Sequence, residues 1–193
     1  TQESASLGGM RWKDLDHDGK ITELDQTWIY DPVPDFTYGF NIYLEYKNFD
    51  FTAFFQGVQG VDIISDLKKE TDIWAGLNIG NLNKGHRLLN AWCVDNPSSN
   101  IPAVTLSDNN NEKRVSTYWV ENGSYLKLRT IQLGYNLPQN IVSKLSMQRL
   151  RMYVSAQNLF TIKSSSFTGV DPENPNYGYP IPLNITFGLN VTF

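Results

Sequence analysis

Residues 14 to 25, DLDHDGKITELD, set Asp14, Asp16 and Asp18 at alternate positions, follow them with Gly19 and bring in a further carboxylate at Asp25. This is the pattern of a twelve-residue calcium loop, in which Asp14, Asp16, Asp18 and Asp25 offer side-chain oxygens, Lys20 its backbone carbonyl, and the glycine permits a sharp turn. Thr22 would add a hydroxyl or hold a water, and Ile21 would anchor the loop. Oxygen donors alone select a hard cation, so calcium is the expected structural cofactor. Asp instead of Glu at the last position shortens the bidentate reach, which predicts a weak site of about 10⁻⁴ to 10⁻³ M.

No other grouping points to reaction chemistry. His17 falls on a non-ligand position of the acidic loop and His86 stands in KGHR, so neither a nucleophilic triad nor a zinc site is expected. Cys93 is the only cysteine, which excludes an intrachain disulfide; it is expected to be a small, half-buried hydrophobe. The glycines of GLNIGNLNKG lack the Lys-Ser/Thr ending of a phosphate loop. Asp171 and Glu173, in the proline-bounded VDPENP, read as fixtures of a turn rather than an acid–base pair. The chain is therefore expected not to be an enzyme. A net charge of -4 leaves no basic footprint for nucleic acid. Trp74, Trp92, Trp119 and Tyr177, interspersed with Asn and Asp, are the candidate platforms for a sugar or peptide.

The elements that must position these residues are strands. Period-two alternation recurs over 36–46, 49–59, 125–137, 149–159 and 183–193, whereas helical periodicity is scarce. Phe36, Tyr38, Phe40, Ile42, Leu44 and Tyr46 share one face of the first segment. After a tight turn at Lys47 and Asn48, Phe49, Phe51, Ala53 and Phe55 continue it as a hairpin. In the third segment Leu126 and Leu128 run out of phase with Ile131, Leu133 and Tyr135, which predicts a bulge near Arg129.

Segments this long exceed the usual five or six residues of soluble strands and match the nine to eleven of membrane barrels. No run of eighteen apolar residues exists, so any membrane crossing must be made by strands closed into a barrel. The connections alternate short and long, with about two residues at 47–48, about sixty-five over 60–124, about eleven around PQNIVSKLSMQ and about twenty-three over 160–182. Outer-membrane barrels join strands in this manner, with short periplasmic turns and long external loops. The expected fold is all-β, five long antiparallel strands in the C-terminal part of a large transmembrane barrel. Residues 1–34 form an extracellular loop, 35–193 the strands, and 60–124 and 160–182 the long external loops. The last strand ends on the periplasmic side. Five strands cannot close a barrel, and the opening TQESASLGG carries neither an initiator Met nor a secretory signal, so a processed chain or fragment is expected. The alternative is a secreted, soluble β-sandwich acting as a calcium-dependent adhesion or carbohydrate-binding module.

The blocks GGMRWKDLDHDGKIT, DPVPDFTYGFNIYLEYKNFDFTAFFQGVQGVDI, ENGSYLKLRTIQLGYNLP, RMYVSAQNLFT, FTGVDPENP and the closing TFGLNVTF resemble, in order, the C-terminal end of SusC/RagA-type TonB-dependent outer-membrane transporters of Bacteroidetes. The resemblance implies a twenty-two-stranded barrel occluded by an N-terminal plug and capped by a SusD-like surface lipoprotein. It also implies import of glycans or peptides, with TonB engaged through an N-terminal region outside these residues. Phe187, Leu189, Val191 and Phe193 match the family's barrel-assembly signal. Asp14, Asp16, Asp18 and Asp25 match its acidic loop, whereas LLNAWCVDNPSSNIPAV follows its pattern only loosely.

Overall fold

The computed structural model describes residues 2–72, 84–105, 108, 110–175 and 178–193. Among the described residues seven strands run in chain order as β1 (Phe36–Tyr46), β2 (Phe49–Gln59), β3 (Asp62–Ile64), β4 (Val120–Asn122), β5 (Tyr125–Asn136), β6 (Arg149–Lys163) and β7 (Asn184–Thr192). The α-helices among the described residues, α1 (Asp66–Asp72) and α2 (Gln139–Val142), are short. β1-β2-β5-β6-β7 form one antiparallel sheet, and β3 pairs with β4.

The alternation seen in the sequence becomes the two faces of this sheet. Register brings Ile42, Ala53, Ile131, Ala156 and Ile185 into one row across all five strands. The next rows toward the hairpin turn are Leu44, Phe51, Leu133, Val154 and Phe187, then Tyr46, Phe49, Tyr135, Met152 and Leu189. Phe40 stacks on Phe55 with ring centroids 4.7 Å apart, and Phe49 lies 4.6 Å from Tyr135. Such cross-strand aromatic pairs fix register as well as contributing contact energy. The large side chains at the edges of the rows are exposed: Phe187 is 81% exposed and every residue of β1 is exposed, while Ala53 is buried between its neighbours and the central positions Phe51, Ile131 and Val154 are half-buried. A soluble sandwich would hide this face in its core, which the exposure of Phe187 and of β1 does not favour.

The tight turn is made by Lys47, at a positive φ of 55°, and Asn48. The bulge expected near Arg129 is present: pairing with β2 shifts between Phe54 and Phe55, where Arg129 is the extra residue. That shift returns Leu126 and Leu128 to the apolar face, opposite Gly57 and Phe55. β6 runs four residues beyond the expected end at 159, so the connection expected from 160 begins after Lys163. Asn158, at φ 56°, marks a compensating irregularity inside β6, after which Phe160 and Ile162 continue the apolar face opposite Leu128 and Leu126.

The chain divides into two compact units. The unit made of residues 31–62, 122–174 and 178–193 carries the five-stranded sheet. The other holds residues up to Tyr30 and Ile63–Glu121, so the long connection is folded rather than extended. Its core is Trp119, 0% exposed, packed by Met10, Ile64 and Tyr118. Its N-terminal residues are tied down by side chains: the Met10 amide donates to Glu112 Oε1 at 2.8 Å, and Asn110 Nδ2 donates to the Met10 carbonyl at 2.8 Å.

Candidate functional site

Two places gather charged side chains, one in each unit. The first is the acidic loop. Asp14 accepts from the amides of His17 at 2.7 Å and Gly19 at 2.9 Å, Asp16 from Asp18 at 3.2 Å, and Asp18 from Lys20 at 2.7 Å. These side-chain-to-backbone bonds wind the loop around its own carboxylates. Gly19 sits at φ 82° with open space where a Cβ would go, so it is there for backbone conformation and not for room. One oxygen from each of Asp14, Asp16 and Asp18 lies within 4.8 Å of the others. Oxygens on one calcium, each at about 2.3–2.6 Å, are at most about 5 Å apart, so the three fit a single ion. Asp25 stands outside that group. Its oxygens accept from Leu15 at 2.6 Å and Thr22 at 2.7 Å, and with Thr22 it forms a capping box on the 3₁₀ turn Glu23–Asp25. The Thr22 and Leu15 amides hold its carboxyl below the usual aspartate range.

The second place is the polar face of the sheet. Toward the hairpin-turn end, Arg151 on β6 donates from Nε to Asp50 Oδ1 on β2 at 2.9 Å and from Nη2 to Oδ2, spanning the intervening β5. The pair passes over Gly134, where a Cβ would stand 2.5 Å from Arg151 Nη2 and from both Asp50 oxygens. The glycine is what lets a two-pronged pair bridge non-adjacent strands. Asn136 supports it, accepting from Arg149 at 2.8 and 3.0 Å and approaching Asp50 at 3.4 Å.

Toward the other end, the β6–β7 connection folds back onto β5. Lys127, 1% exposed, donates to Asp171 at 2.8 and 3.0 Å and to Glu173 at 2.6 Å. Arg129 holds Glu173 with both terminal nitrogens, the Nη1 bond measuring 2.8 Å, while its Nε donates to Gln56 at 2.9 Å. Tyr125 adds its hydroxyl to Glu173 at 3.0 Å. Burial works against the Glu173 charge, but the bonds from Lys127, Arg129 and Tyr125 outweigh it and keep its carboxyl below the usual glutamate range. Two cations meet two carboxylates, so the cluster is neutral. Asp171 and Glu173 are thus the loop fixtures the sequence suggested. Their partners were not legible there, because Lys127 and Arg129 lie 44 residues upstream of Asp171 and Glu173 and meet them only once the connection folds back.

The aromatic candidates fare differently. Trp119 is a packing residue: it is wholly buried and its indole N–H donates to the Arg114 carbonyl at 3.0 Å, so it is no platform for a ligand. Trp92 is half-buried, its ring lying across Gly8, where a Cβ would come within 2.2 Å. Trp74 and Tyr177 lie outside the described residues. Cys93, expected to be half-buried, is exposed in a turn closed by the Asn96 amide. Phe187, Leu189 and Val191 share the apolar face of β7, and Phe193 follows that strand exposed.

Among the described residues, long strands with one largely uncovered apolar face, one polar face and two unpaired edges have the make-up of a section of an outer-membrane β-barrel wall. No protein-family profile matches the chain. It is 37% identical over 202 residues to TonB-dependent receptor P3 of Formosa agariphila, covering 96% of this chain and 19% of that protein. TonB-dependent receptor P26 of the same organism is 32% identical over 202 residues, with 97% and 20% covered. TonB-dependent receptor SusC of Bacteroides thetaiotaomicron is 27% identical over 191 residues, with 93% and 17% covered. Among solved structures, the RagAB peptide importer in its open-open state superposes with a TM-score of 0.69 at 28% identity, over 83% of this chain and 17% of that one. The chain belongs with the TonB-dependent receptors of the SusC/RagA type and spans about a fifth of the length of these relatives.

Proposed function

We propose that this chain supplies closing wall strands, the C-terminal portion, of an outer-membrane importer of the SusC/RagA type. The observation that carries the reading is the five-strand apolar face, with its large edge side chains exposed and suited to acyl chains, in a sequence related to TonB-dependent receptors along nearly its whole length. On this reading the barrel has twenty-two strands, a plug fills its bore, a SusD-like lipoprotein covers its mouth, and TonB drives import. The cargo is a glycan or a peptide, and the likeness to a peptide importer makes peptides the first to assay. The segment moves its cargo without breaking bonds in it. β7 ends toward the periplasm, which puts the hairpin turn and α2 on that side and the acidic loop on the extracellular rim.

Calcium belongs to the same proposal. Asp14, Asp16 and Asp18 would hold the ion with help from the Lys20 carbonyl, and Asp25 would brace the loop from behind. A bound ion neutralises the crowded carboxylates and stiffens the rim, which lowers the ordering cost when the lid docks. The test is to express the whole receptor in its native outer membrane, extract it with mild detergent and titrate it with calcium. The reading requires outer-membrane fractionation and co-purification of a surface lipoprotein. Replacing Asp14 and Asp18 by Ala is expected to remove calcium uptake and weaken lid association. Release of the protein without detergent overturns the barrel, and unchanged ion content in the double variant overturns the calcium site.

A further inference from the structure

The β6–β7 connection is fastened to the wall at two points of different chemistry. Its base is held by Lys163, whose Nζ reaches the carbonyls of Gly169 and Val170 and lies 5.1 Å from the ring centroid of Phe167, itself buried and filling the space where a Gly169 Cβ would stand. Its tip, Asp171 to Asn174, is held by charge. The tip is a compact turn, with the Glu173 amide donating to Asp171 Oδ1 at 3.0 Å and the Asn174 amide to the Asp171 carbonyl at 3.1 Å. It can therefore leave the wall as one piece without unwinding.

The wall beneath the tip is composed of donors. Lys127 Nζ, both terminal nitrogens of Arg129 and the Tyr125 hydroxyl converge on one carboxylate, and Gln56 fixes the guanidinium from behind. A planar fork beside a point cation and a hydroxyl is the complement of a carboxylate, whichever molecule supplies it. The base fastening of the connection does not use these donors. Bonds of this kind are also the ones an outside anion can replace, because ionic partners exchange at little net cost when another carboxylate restores the charge balance.

We propose that Lys127, Arg129 and Tyr125 form a carboxylate-binding site on the inner wall, that Glu173 occupies it as a built-in ligand, and that an acidic group of the cargo displaces the tip by exchange. The tethered carboxylate competes at a millimolar or higher effective concentration, so the exchange favours a cargo held at high local concentration over the same anion free in solution. The chemistry of the site rests on the contacts above; its use during uptake rests on the importer reading.

The experiment uses the complete receptor in nanodiscs with Cys93 and any other native thiols replaced. Spin labels are placed at Asn174, exposed on the tip, and at Asn41, exposed on the polar face of β1. Tri-glutamate at millimolar concentration is expected to add a second distance population, which tri-lysine and sodium chloride at matched ionic strength do not. The Asp171→Asn/Glu173→Gln variant is expected to show the second population without peptide. The Lys127→Gln/Arg129→Gln variant is expected to show it too, and to lose the response to tri-glutamate. A single unchanged distance in the carboxamide variant, or an equal response to tri-lysine, overturns the proposal. Exchange in a receptor that fails to import leaves the site standing and overturns the importer reading instead.

Discussion

Replacing Gly134 by Ala separates two explanations of a strand glycine. In a strand free of close neighbours the change is neutral or stabilising by about 0.4–1 kcal/mol, because Ala narrows the unfolded ensemble. Here the new methyl would stand 2.5 Å from Arg151 Nη2 and from both Asp50 oxygens, too close for any of the three to remain. The pair must splay, losing two charge-assisted bonds worth about 1.5–3 kcal/mol for groups removed from water and less where water reaches them. The expected net destabilisation is about 1–2 kcal/mol. In an Asp50→Ala background the carboxylate is gone and the Arg151 tip can swing aside, so the same substitution should be close to neutral. The coupling between the two positions is therefore expected at about 1–2 kcal/mol. The assay is a double-mutant cycle on the full receptor in lipid, read by urea-dependent loss of the compact, heat-modifiable band on gels. Additive effects within about 0.5 kcal/mol would refute the argument that the glycine exists for the ion pair.

Other outcomes follow from the same geometry. Ile131→Arg, at the centre of the apolar rows, should cost about 2–4 kcal/mol if it lies near the bilayer midplane, while Gln132→Arg on the opposite face should be near neutral; equal effects in the same unfolding assay would remove the lipid-facing assignment. Trp119→Ala should cost about 3–5 kcal/mol within its own unit, read as faster proteolysis of Ile63–Glu121 with the barrel band unchanged. Glu173 has a folded-state pKa below its reference value of 4.5, so the stability it contributes is fully present above about pH 4.5 and is lost as pH falls through the folded value. Cleavage within Asp171–Asn174 by an acid-active protease should therefore rise as pH falls through the folded value, and Glu173→Gln should abolish the dependence.

The sheet was legible because each strand declares its faces locally: alternation in 36–46 and 49–59 fixed both segments to the residue. The bulge at Arg129 was legible for the same reason, as a change of phase between Leu128 and Ile131. The end of β6 was not, because Asn158 and the polar residues around it look like a terminus, and continuation to Lys163 depends on pairing with β5. The polar clusters were hidden by distance along the chain. Asp50 and Arg151 stand 101 residues apart in sequence and meet only once register is set, and Glu173 reaches Arg129 across 44. Trp119 shows a limit of residue type: an aromatic flanked by polar residues in a long connection reads as a platform, yet that connection builds a core of its own around it. In the acidic loop the alternate spacing made the grouping of Asp14, Asp16 and Asp18 legible. The bonds from the Leu15 and Thr22 amides to Asp25 were not, because spacing does not register a capping box.

The seam between β2 and β5 separates Gln59 from Tyr125 by sixty-five residues, whereas β1–β2 closes over two. Loop closure costs about 0.6 kcal/mol for each doubling of length, about 3 kcal/mol between these two cases. During biogenesis the N-terminal hairpin should therefore zip early, β5, β6 and β7 should join through their shorter connections, and the two halves should meet last. If the intervening excursion collapses around its tryptophan beforehand, it shortens the effective tether and hastens that final joining. Damage to that unit would then surface as slow barrel maturation and not as a weakened finished wall.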